Sequence, residues 1–571
     1  MTLSGSFKKA LWHNLPKRYY QTFIIGILST IYRLYVPSFP LYGMVHDDEL
    51  QVSLANNINQ GLWLGPYEQL THRIFAKGPG YPIFLAITSR FPWSPVVSVH
   101  VLLLFGAVLA LVMLVRLGMK EALFLPAFAL IAFCPVWFGD QMSRIYRDGL
   151  LAALTFLAIA LLLKFISEFV TSQNRTNKKL TLYKSIVPSG LMFGFVLSFW
   201  YITKPSLQPI YFAVITLAIP LLIRYRNVKA IVILSVFFIC SVIGFLPITK
   251  YVESKNQNHY GVSQIENFYS GSFSQTLSLM TVIEPISTRR YVAISKYMRQ
   301  NMYAASPTFQ RLKPWLEANP GEGWRAQPCN SPLKICDESA SHFQWELRDA
   351  AELAGIANSA VEFESTFKKI FTELTSACNS GQLRCSERNF MPAGAPIISQ
   401  VPKRDVIESF FEGFQLIWNL SPATKGGSAY TPNVDTSTLK LWNETVHGLP
   451  VNSVNPEYKP GQNNAASSFS TLLKAYELIW HLLLLLSFIG MFFFIVSRRQ
   501  KLSILAVVSI AILISMFVAI EILGILEASI GLYISSGGSV YSISVFPFAL
   551  TFVIAFCAEL INRLPTNCSS R

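Results

Sequence analysis

The sequence predicts an α-helical polytopic membrane protein of about ten transmembrane helices, with a large extracytoplasmic insertion that is mostly helical. Of its 571 residues, 52% are hydrophobic and only 14% are charged, whereas a soluble domain carries about 25% charged residues. Several apolar runs are about 20 residues long, enough for a helix to cross a hydrocarbon core of roughly 30 Å. No small-residue cleavage site follows the basic N-terminal stretch, so we expect the first span to remain as an anchor.

Ten apolar segments are the expected spans, and the charges between them indicate their orientation. The segments are 22–41, 96–115, 122–139, 149–170, 188–203, 208–223, 230–249, 476–497, 502–523 and 541–562. Lys and Arg concentrate in alternate connections, at 8–18, 116–120, 175–184, 224–229 and 498–501. The positive-inside rule makes those connections, and both termini, cytoplasmic. The net charge of +15 is therefore a topology signal, and no nucleic-acid partner is expected.

Two long connections are expected outside the cytoplasm, and they divide the chain into three parts. Residues 1–249 form an N-terminal transmembrane module whose first outer loop is 42–95, residues 250–475 form the insertion, and residues 476–571 form C-terminal transmembrane helices. Apolar residues recur at helical spacing in 343–354 and 363–374, which predicts helices there. Gly381 is expected to follow the end of the second helix.

Four of the eight cysteines lie in the insertion as two C-x6-C pairs, Cys329/Cys336 and Cys378/Cys385. An even set on the non-cytoplasmic side indicates disulfides, and pairing of neighbours is the simplest of the three connectivities. Four buried free thiols are the alternative. A zinc site would favour the tighter C-x2–4-C spacing.

The stretch Val45-His-Asp-Asp-Glu-Leu50 places three acids at the start of an amphipathic segment. Apolar residues then recur every four positions, at Leu50, Leu54, Ile58 and Leu62. This spacing predicts a one-faced helix lying along the membrane surface. Asp47 and Asp48 would stand at its N-terminus, where acids can cap a helix and compensate its dipole. Capping and chemistry are both open to them.

Basic residues follow in the same loop and in the next outer loop. Lys77 opens the stretch Lys-Gly-Pro-Gly-Tyr-Pro82, which leads into an apolar run. A cation fixed at the membrane boundary suits a lipid phosphate, although a snorkelling lysine is a common alternative. The second outer loop, 139–148, adds a group of charged residues, Asp140, Arg144, Arg147 and Asp148. An Arg–Asp pair with an interfacial Tyr146 would explain them structurally. Together the two loops place acids, cations and aromatic rings on one face.

These motifs resemble the first outer loop of GT-C glycosyltransferases, nearest to the lipid A aminoarabinose transferases and protein O-mannosyltransferases. The family's Asp-Glu pair stands fourteen residues before a Gly-x-Trp; Asp47 stands fourteen residues before Gly61, with Asp48 in the Glu position. Lys77-Gly-Pro matches the family's Lys-Pro-Pro, and Asp148 matches the acid of its second outer loop. The resemblance covers roughly residues 20–225. The family's Arg-Tyr pair near a late span is replaced here by Gly-Ser-Val-Tyr at 538–541.

The resemblance implies a GT-C fold and transfer of a sugar from a polyprenyl-phosphate carrier to a glycan, lipid or protein acceptor on the outer face. It implies catalytic roles for Asp47, Asp48 and Asp148 and substrate contacts from Lys77, Tyr81, Arg144 and Arg147. Asp47 would be the general base, and the cations would stabilise the leaving phosphate. A metal site of the Mg²⁺ or Mn²⁺ type could instead be formed by His46, Asp47, Asp48 and Glu49.

Two other functions remain open. A transporter or flippase for a lipid-linked sugar would need ionisable groups near mid-membrane, where Arg33 and Glu521 are the main candidates. A polymerase or ligase of lipid-linked glycans would share the donor class. Because the acids cluster in outer loops, we favour a transferase that acts at the membrane surface. We expect it in a bacterial inner membrane, with its site facing the exterior and membrane lipids around it.

Overall fold

The computed structural model describes residues 6–36, 46–173, 179–205, 209–285, 294–318, 321–330, 334–386, 403–424, 444–446, 465–496, 503–530 and 541–563, with Ser38, Ser287 and Val292. These residues are largely helical, and their strand-like pairing is one isolated bridge between Ile283 and Cys385.

Within the described residues, seven helices are long and apolar enough to cross a membrane, which makes the chain an integral membrane protein. These spans are Pro95–Arg116, Arg147–Gln173, Ser185–Thr203, Val228–Tyr260, Ser470–Phe494, Ile504–Ile522 and Ile543–Arg563. The other three predicted spans lie in helix Ser6–Tyr35 and in two shorter apolar segments, Glu121–Trp137 and Ile210–Tyr225.

Shorter helices build the connections between the membrane helices. In the connections 42–95 and 139–148, predicted to be the outer loops, they are Asp48–Asn59, Tyr67–Leu70, Gly80–Thr88 and Asp140–Ser143. In the long connection they are Gly271–Met280, Lys296–Ala305, Pro307–Gln310, Lys313–Glu317, Gly321–Asn330, Phe343–Leu353, Ala360–Asn379, Lys403–Trp418 and Ser421–Thr424. The two helices predicted in the insertion are thus present, and Gly381 follows the second with a φ of 76°.

Helices Lys179–Thr203 and Val228–Tyr260 pack along each other through glycines. A Cβ added to Gly194 would lie 1.9 Å from the carbonyl oxygen of Ser241, and Gly244 approaches the opposite helix as closely. Small residues allow this close packing of membrane helices, which lack a hydrophobic driving force between them. The contact fixes the end of helix Lys179–Thr203, which reaches the candidate active site.

The insertion has its own apolar core, formed by residues that include Phe273, Leu277, Met298, Phe309, Phe343, Leu347, Phe363, Phe367, Ile370 and Leu374. Disulfides join Cys329 to Cys336 and Cys378 to Cys385. Each bond links neighbouring cysteines along the chain.

The predicted boundaries of the insertion, 250 and 475, do not coincide with the helix ends or with the division between the two apolar cores. Helix Val228–Tyr260 continues for eleven residues beyond 249 and ends at Gly261, which has a φ of 73°. Helix Lys403–Trp418 contributes Ile417 to the core of the membrane helices, not to the core of the insertion. The sequence did not reveal that helix Lys403–Trp418 packs with the membrane helices, because an amphipathic pattern indicates a buried face but not the core to which it belongs.

The helix at the acid pair runs from Asp48 to Asn59, and protein covers its apolar face. Leu50 is 2% exposed and Leu54 is fully buried. They share a small core with residues of the later loop and of the insertion, namely Ile74, Phe75, Val262 and Ala360. Protein therefore covers much of the apolar face that was predicted to lie against the membrane surface, and the position of this helix relative to the membrane stays a prediction.

Candidate active site

Asp47 precedes helix Asp48–Asn59, but its side chain makes no capping hydrogen bond to the described residues. One carboxylate oxygen lies 2.6 Å from Lys77 Nζ, and the other lies 3.7 Å from Arg144 Nη2. The hydroxyl of Tyr146 donates to Asp47 at 3.2 Å. Burial alone would raise the pKa of Asp47, but Lys77 and Arg144 outweigh it and hold that pKa well below its usual range. Asp47 is thus an ionised acid among cations, and its side chain does not act as a cap.

Lys77 is the direct partner of Asp47 and is only 6% exposed. Its ammonium lies 5.4 Å from the ring centroid of Trp345 and 5.9 Å from that of Tyr146. Burial lowers the pKa of Lys77, and the charge of Asp47 opposes that shift. A buried ammonium with one carboxylate partner is well placed to exchange that partner for another anion.

The turn after Lys77 requires glycine because it presses against the end of helix Lys179–Thr203. A Cβ at Gly78 would lie 2.1 Å from the carbonyl oxygen of Ile202, and one at Gly80 would lie 2.3 Å from Thr203 Oγ1. Contacts this short cannot be accommodated without moving the backbone. The Lys-Gly-Pro-Gly stretch therefore positions Lys77 at the end of a membrane helix.

Asp48 is fully buried and holds Arg144 in place. Arg144 Nε lies 2.9 and 3.0 Å from the two carboxylate oxygens, and Nη2 lies 2.6 Å from one of them. The guanidinium also stacks 4.3 Å from the ring centroid of Tyr146. Such a forked pair fixes orientation as well as charge. Arg144, predicted to contact substrate, is thus committed to Asp48 in this structure.

Asp148, the acid of the second outer loop, pairs with a residue that the sequence prediction missed. Lys204 Nζ lies 3.3 Å from Asp148 Oδ1 and 4.0 Å from the ring centroid of Tyr541. Burial lowers the pKa of Lys204 to about 8, against the opposing charge of Asp148. The available signal was a lone Lys-Pro directly after an expected span, in a connection of only a few residues.

Arg147 and Tyr81 are both buried beside this cluster. Arg147 Nη1 donates to the carbonyl oxygen of Thr203 at 3.5 Å, and its Nε has no partner among the described residues. Tyr81 is 1% exposed and packs in the core of the membrane helices, beside Phe84. The side chain of Asp140 lies outside the described part of the chain.

The four residues expected as possible metal ligands are not arranged around one point. The His46 ring stacks on Trp345 with centroids 4.5 Å apart, while the carboxylates of Asp47 and Asp48 face cations. Among the described residues, no group of three or more His, Cys, Asp or Glu side chains could hold a metal ion. The metal site of His46, Asp47, Asp48 and Glu49 stays a prediction.

The insertion contributes side chains that sequence reasoning did not place in the site. Trp345 lies over Lys77, and the fully buried Arg348 donates to the carbonyl oxygen of His72 at 3.1 Å and to the side chain of Asn267. The His72 ring in turn lies 3.1 Å from a carboxylate oxygen of Asp349. No spacing in the sequence links these helices to the first loop.

Comparisons with known proteins give limited similarity. No protein-family model and no curated protein matches the chain. Among solved structures, the chain is similar to ArnT from Cupriavidus metallidurans in the apo state, with a TM-score of 0.32 and 11% identity over 95% of this chain and 77% of that one. It is also similar to the same protein bound to undecaprenyl phosphate, with a TM-score of 0.28 and 10% identity over 94% and 76%. Both scores lie below 0.5, so neither serves as a basis for assigning the fold or the function.

Proposed function

We propose that this protein is a membrane glycosyltransferase that moves a sugar from a polyprenyl-phosphate carrier to an acceptor on the extracytoplasmic face. The observation that supports it best is the ion pair between the buried Lys77 and the half-buried Asp47 at the ends of membrane helices. Arg147 begins one of these spans and Thr203 ends another. A lipid-linked phosphate would bring its headgroup to this depth, where a soluble substrate would not need to bind.

Lys77 and Arg147 are the proposed phosphate-binding residues. Lys77 can exchange the carboxylate of Asp47 for a phosphate oxygen, and Arg147 has an Nε–H without a partner in the described part of the chain. Arg144 is less suited, since Asp48 already occupies its forked edge. Phosphate binding would therefore rearrange the Asp47–Lys77 pair and leave the Asp48–Arg144 pair intact.

This exchange would also make Asp47 a better base. With Lys77 turned to phosphate, the carboxylate loses its nearest cation, and its pKa rises toward the range of a useful proton acceptor. In the reaction, an acceptor hydroxyl or amine would attack the anomeric carbon while the bond to phosphate breaks. The electron pair of that bond leaves with the phosphate, and Asp47 takes the acceptor's proton. Lys77 and Arg147 would stabilise the phosphate as its charge grows.

Purified protein in lipid vesicles tests the proposal. A radiolabelled polyprenyl-phosphate sugar is supplied with an extract of envelope glycans, lipids and proteins, and label in any acceptor is measured. Transfer that depends on the protein supports a transferase. Movement of intact donor between leaflets without transfer would instead indicate a transporter, and extension of a lipid-linked glycan would indicate a polymerase.

A further inference from the structure

We propose that Glu266 is the general acid of this site and donates a proton to the phosphate as it leaves. The role rests on the proposed transferase function. Nothing in the sequence marked Glu266, which lies in the irregular segment between helix Val228–Tyr260 and helix Gly271–Met280.

Hydrogen bonds of Asn267, the next residue in the chain, hold Glu266 beside the loop that carries Lys77. The N–H of Asn267 donates to the carbonyl oxygen of Phe75 at 3.0 Å, two residues before Lys77. The Asn267 side chain accepts from the buried Arg348. The main chain next to Glu266 is therefore fixed against the loop that leads to Lys77.

Glu266 is a buried acid without an ion pair among the described residues. It is 2% exposed, and the hydrogen bond made by its carboxyl comes from the N–H of Phe268, at 3.2 Å. Lys77, Arg147 and Arg348 influence it electrostatically, but each is bonded elsewhere. Burial raises the pKa of Glu266 to about 7, although the charges of these cations oppose the shift. Glu266 can thus hold a proton near neutral pH.

The two acids of the site therefore differ in the way that acid–base catalysis requires. Asp47 is held ionised by its cations, whereas burial shifts Glu266 toward its protonated form, and such divergence typically separates a base from an acid. A phosphate monoester has a second pKa of about 6, close to that of Glu266. Transfer of a proton between groups of similar pKa is efficient near their pKa.

The proposed step conserves both electrons and protons. The carbon–oxygen bond to the phosphate breaks and its electron pair moves to the phosphate, which receives the proton of Glu266. The new bond to the acceptor forms, and Asp47 receives the proton that the acceptor loses. Glu266 regains a proton from solvent when the product phosphate departs, so the net reaction needs no other reactant.

The pH dependence of turnover at saturating donor tests this role. A general acid acts in its protonated form, so wild-type kcat should be highest below about pH 7 and fall above it. The groups that face Glu266 are Lys77, Arg147, Arg348, Tyr201 and Tyr269. Burial raises the pKa of Tyr269 and lowers that of Arg348 only to about 9, so neither should titrate near pH 7. Burial also lowers the pKa of Lys77, so a decline that disappears in Glu266→Gln is what assigns it to Glu266 and not to Lys77.

The variant Glu266→Gln keeps the size of the side chain and its neutral state but cannot donate an acidic proton. Its kcat should fall by on the order of 10²-fold, the decline above pH 7 should disappear, and binding of polyprenyl phosphate should be unchanged. The control is Glu284→Gln, which changes an exposed acid of the insertion. Thermal unfolding of each variant checks folding.

Several results would overturn the role. A Glu266→Gln protein with wild-type kcat and the same pH profile would reject Glu266 as the acid while leaving the transferase intact. If the variant does not fold, a wild-type kcat that is flat from pH 6 to pH 8 would also reject it. A wild-type protein that binds polyprenyl phosphate but transfers no sugar would reject the transferase and this role together.

Discussion

Replacing Asp47 by Asn should reduce turnover while leaving phosphate binding intact or stronger. Asn keeps an acceptor for Lys77 and Tyr146, which lie 2.6 and 3.2 Å from Asp47 in the native site, but it cannot take a proton. Turnover should therefore fall by roughly 10²–10⁴-fold. Charge-assisted hydrogen bonds contribute about 1.5–3 kcal/mol. If half of that is lost, the competition for Lys77 falls by about 0.75–1.5 kcal/mol, or about 4- to 12-fold in phosphate affinity.

Two measurements on the same preparation separate these effects. Transfer from a labelled polyprenyl-phosphate sugar gives kcat, and quenching of tryptophan fluorescence by polyprenyl phosphate alone gives the dissociation constant. Trp345 lies beside Lys77 and supplies the signal. The matched control is Glu68→Gln, which removes one negative charge from an exposed position in the same loop. Its kcat and affinity should equal those of the wild type.

Opposite outcomes would refute the reasoning about Asp47. A folded Asp47→Asn protein with normal turnover would show that Asp47 is not the base. A variant with weaker phosphate binding would show that Asp47 organises the phosphate site and does not compete for Lys77. The structure already argues against a helix-capping role for Asp47, since its side chain makes no capping bond to the described residues.

Three further changes test the neighbouring groups. Lys77→Met keeps the apolar stem and removes the charge, so phosphate binding and kcat should both fall. Phosphate affinity should fall by about 10–100-fold, because a charged hydrogen bond contributes about 1.5–3 kcal/mol. Asp48→Asn leaves the charge of Arg144 poorly compensated, and thermal unfolding should show a loss of about 3 kcal/mol, with a smaller drop in kcat than for Asp47→Asn. Addition of EDTA should leave transfer unchanged because the acids face cations; activity restored only by Mg²⁺ or Mn²⁺ would return them to a ligand role.

The sequence predicted those parts of the site that depend on local patterns. The Lys77 turn could be recognised because its glycines and proline stand beside an apolar run, and Arg144 because charge is rare in this chain. Their proximity followed from topology, since alternate connections lie on the same side of the membrane. Which arginine would be free for substrate could not be predicted. That depends on the fork between Asp48 and Arg144, residues 96 positions apart.

The contributions of the insertion could not be predicted for a different reason. Trp345 and Arg348 lie on an amphipathic helix whose spacing indicates burial but not a partner. Glu266 stands in an irregular segment with no pattern at all. Its properties come from the removal of water by residues distant in the sequence, which only the folded chain reveals.

The hydrogen bond from Asn267 to Phe75, together with the core shared by Leu54 and Val262, has a consequence for engineering. It joins the insertion to the first outer loop through the main chain, so the two cannot be exchanged separately. A chimera with a foreign insertion on these membrane helices would also need the matching segment of the first loop, the segment that ends at Lys77. By contrast, the Cys378–Cys385 bridge lies at the C-terminal end of helix Ala360–Asn379, whereas the contact of this helix with the first loop is made by Ala360 at its other end. New binding specificities could be introduced there without disturbing the chemistry.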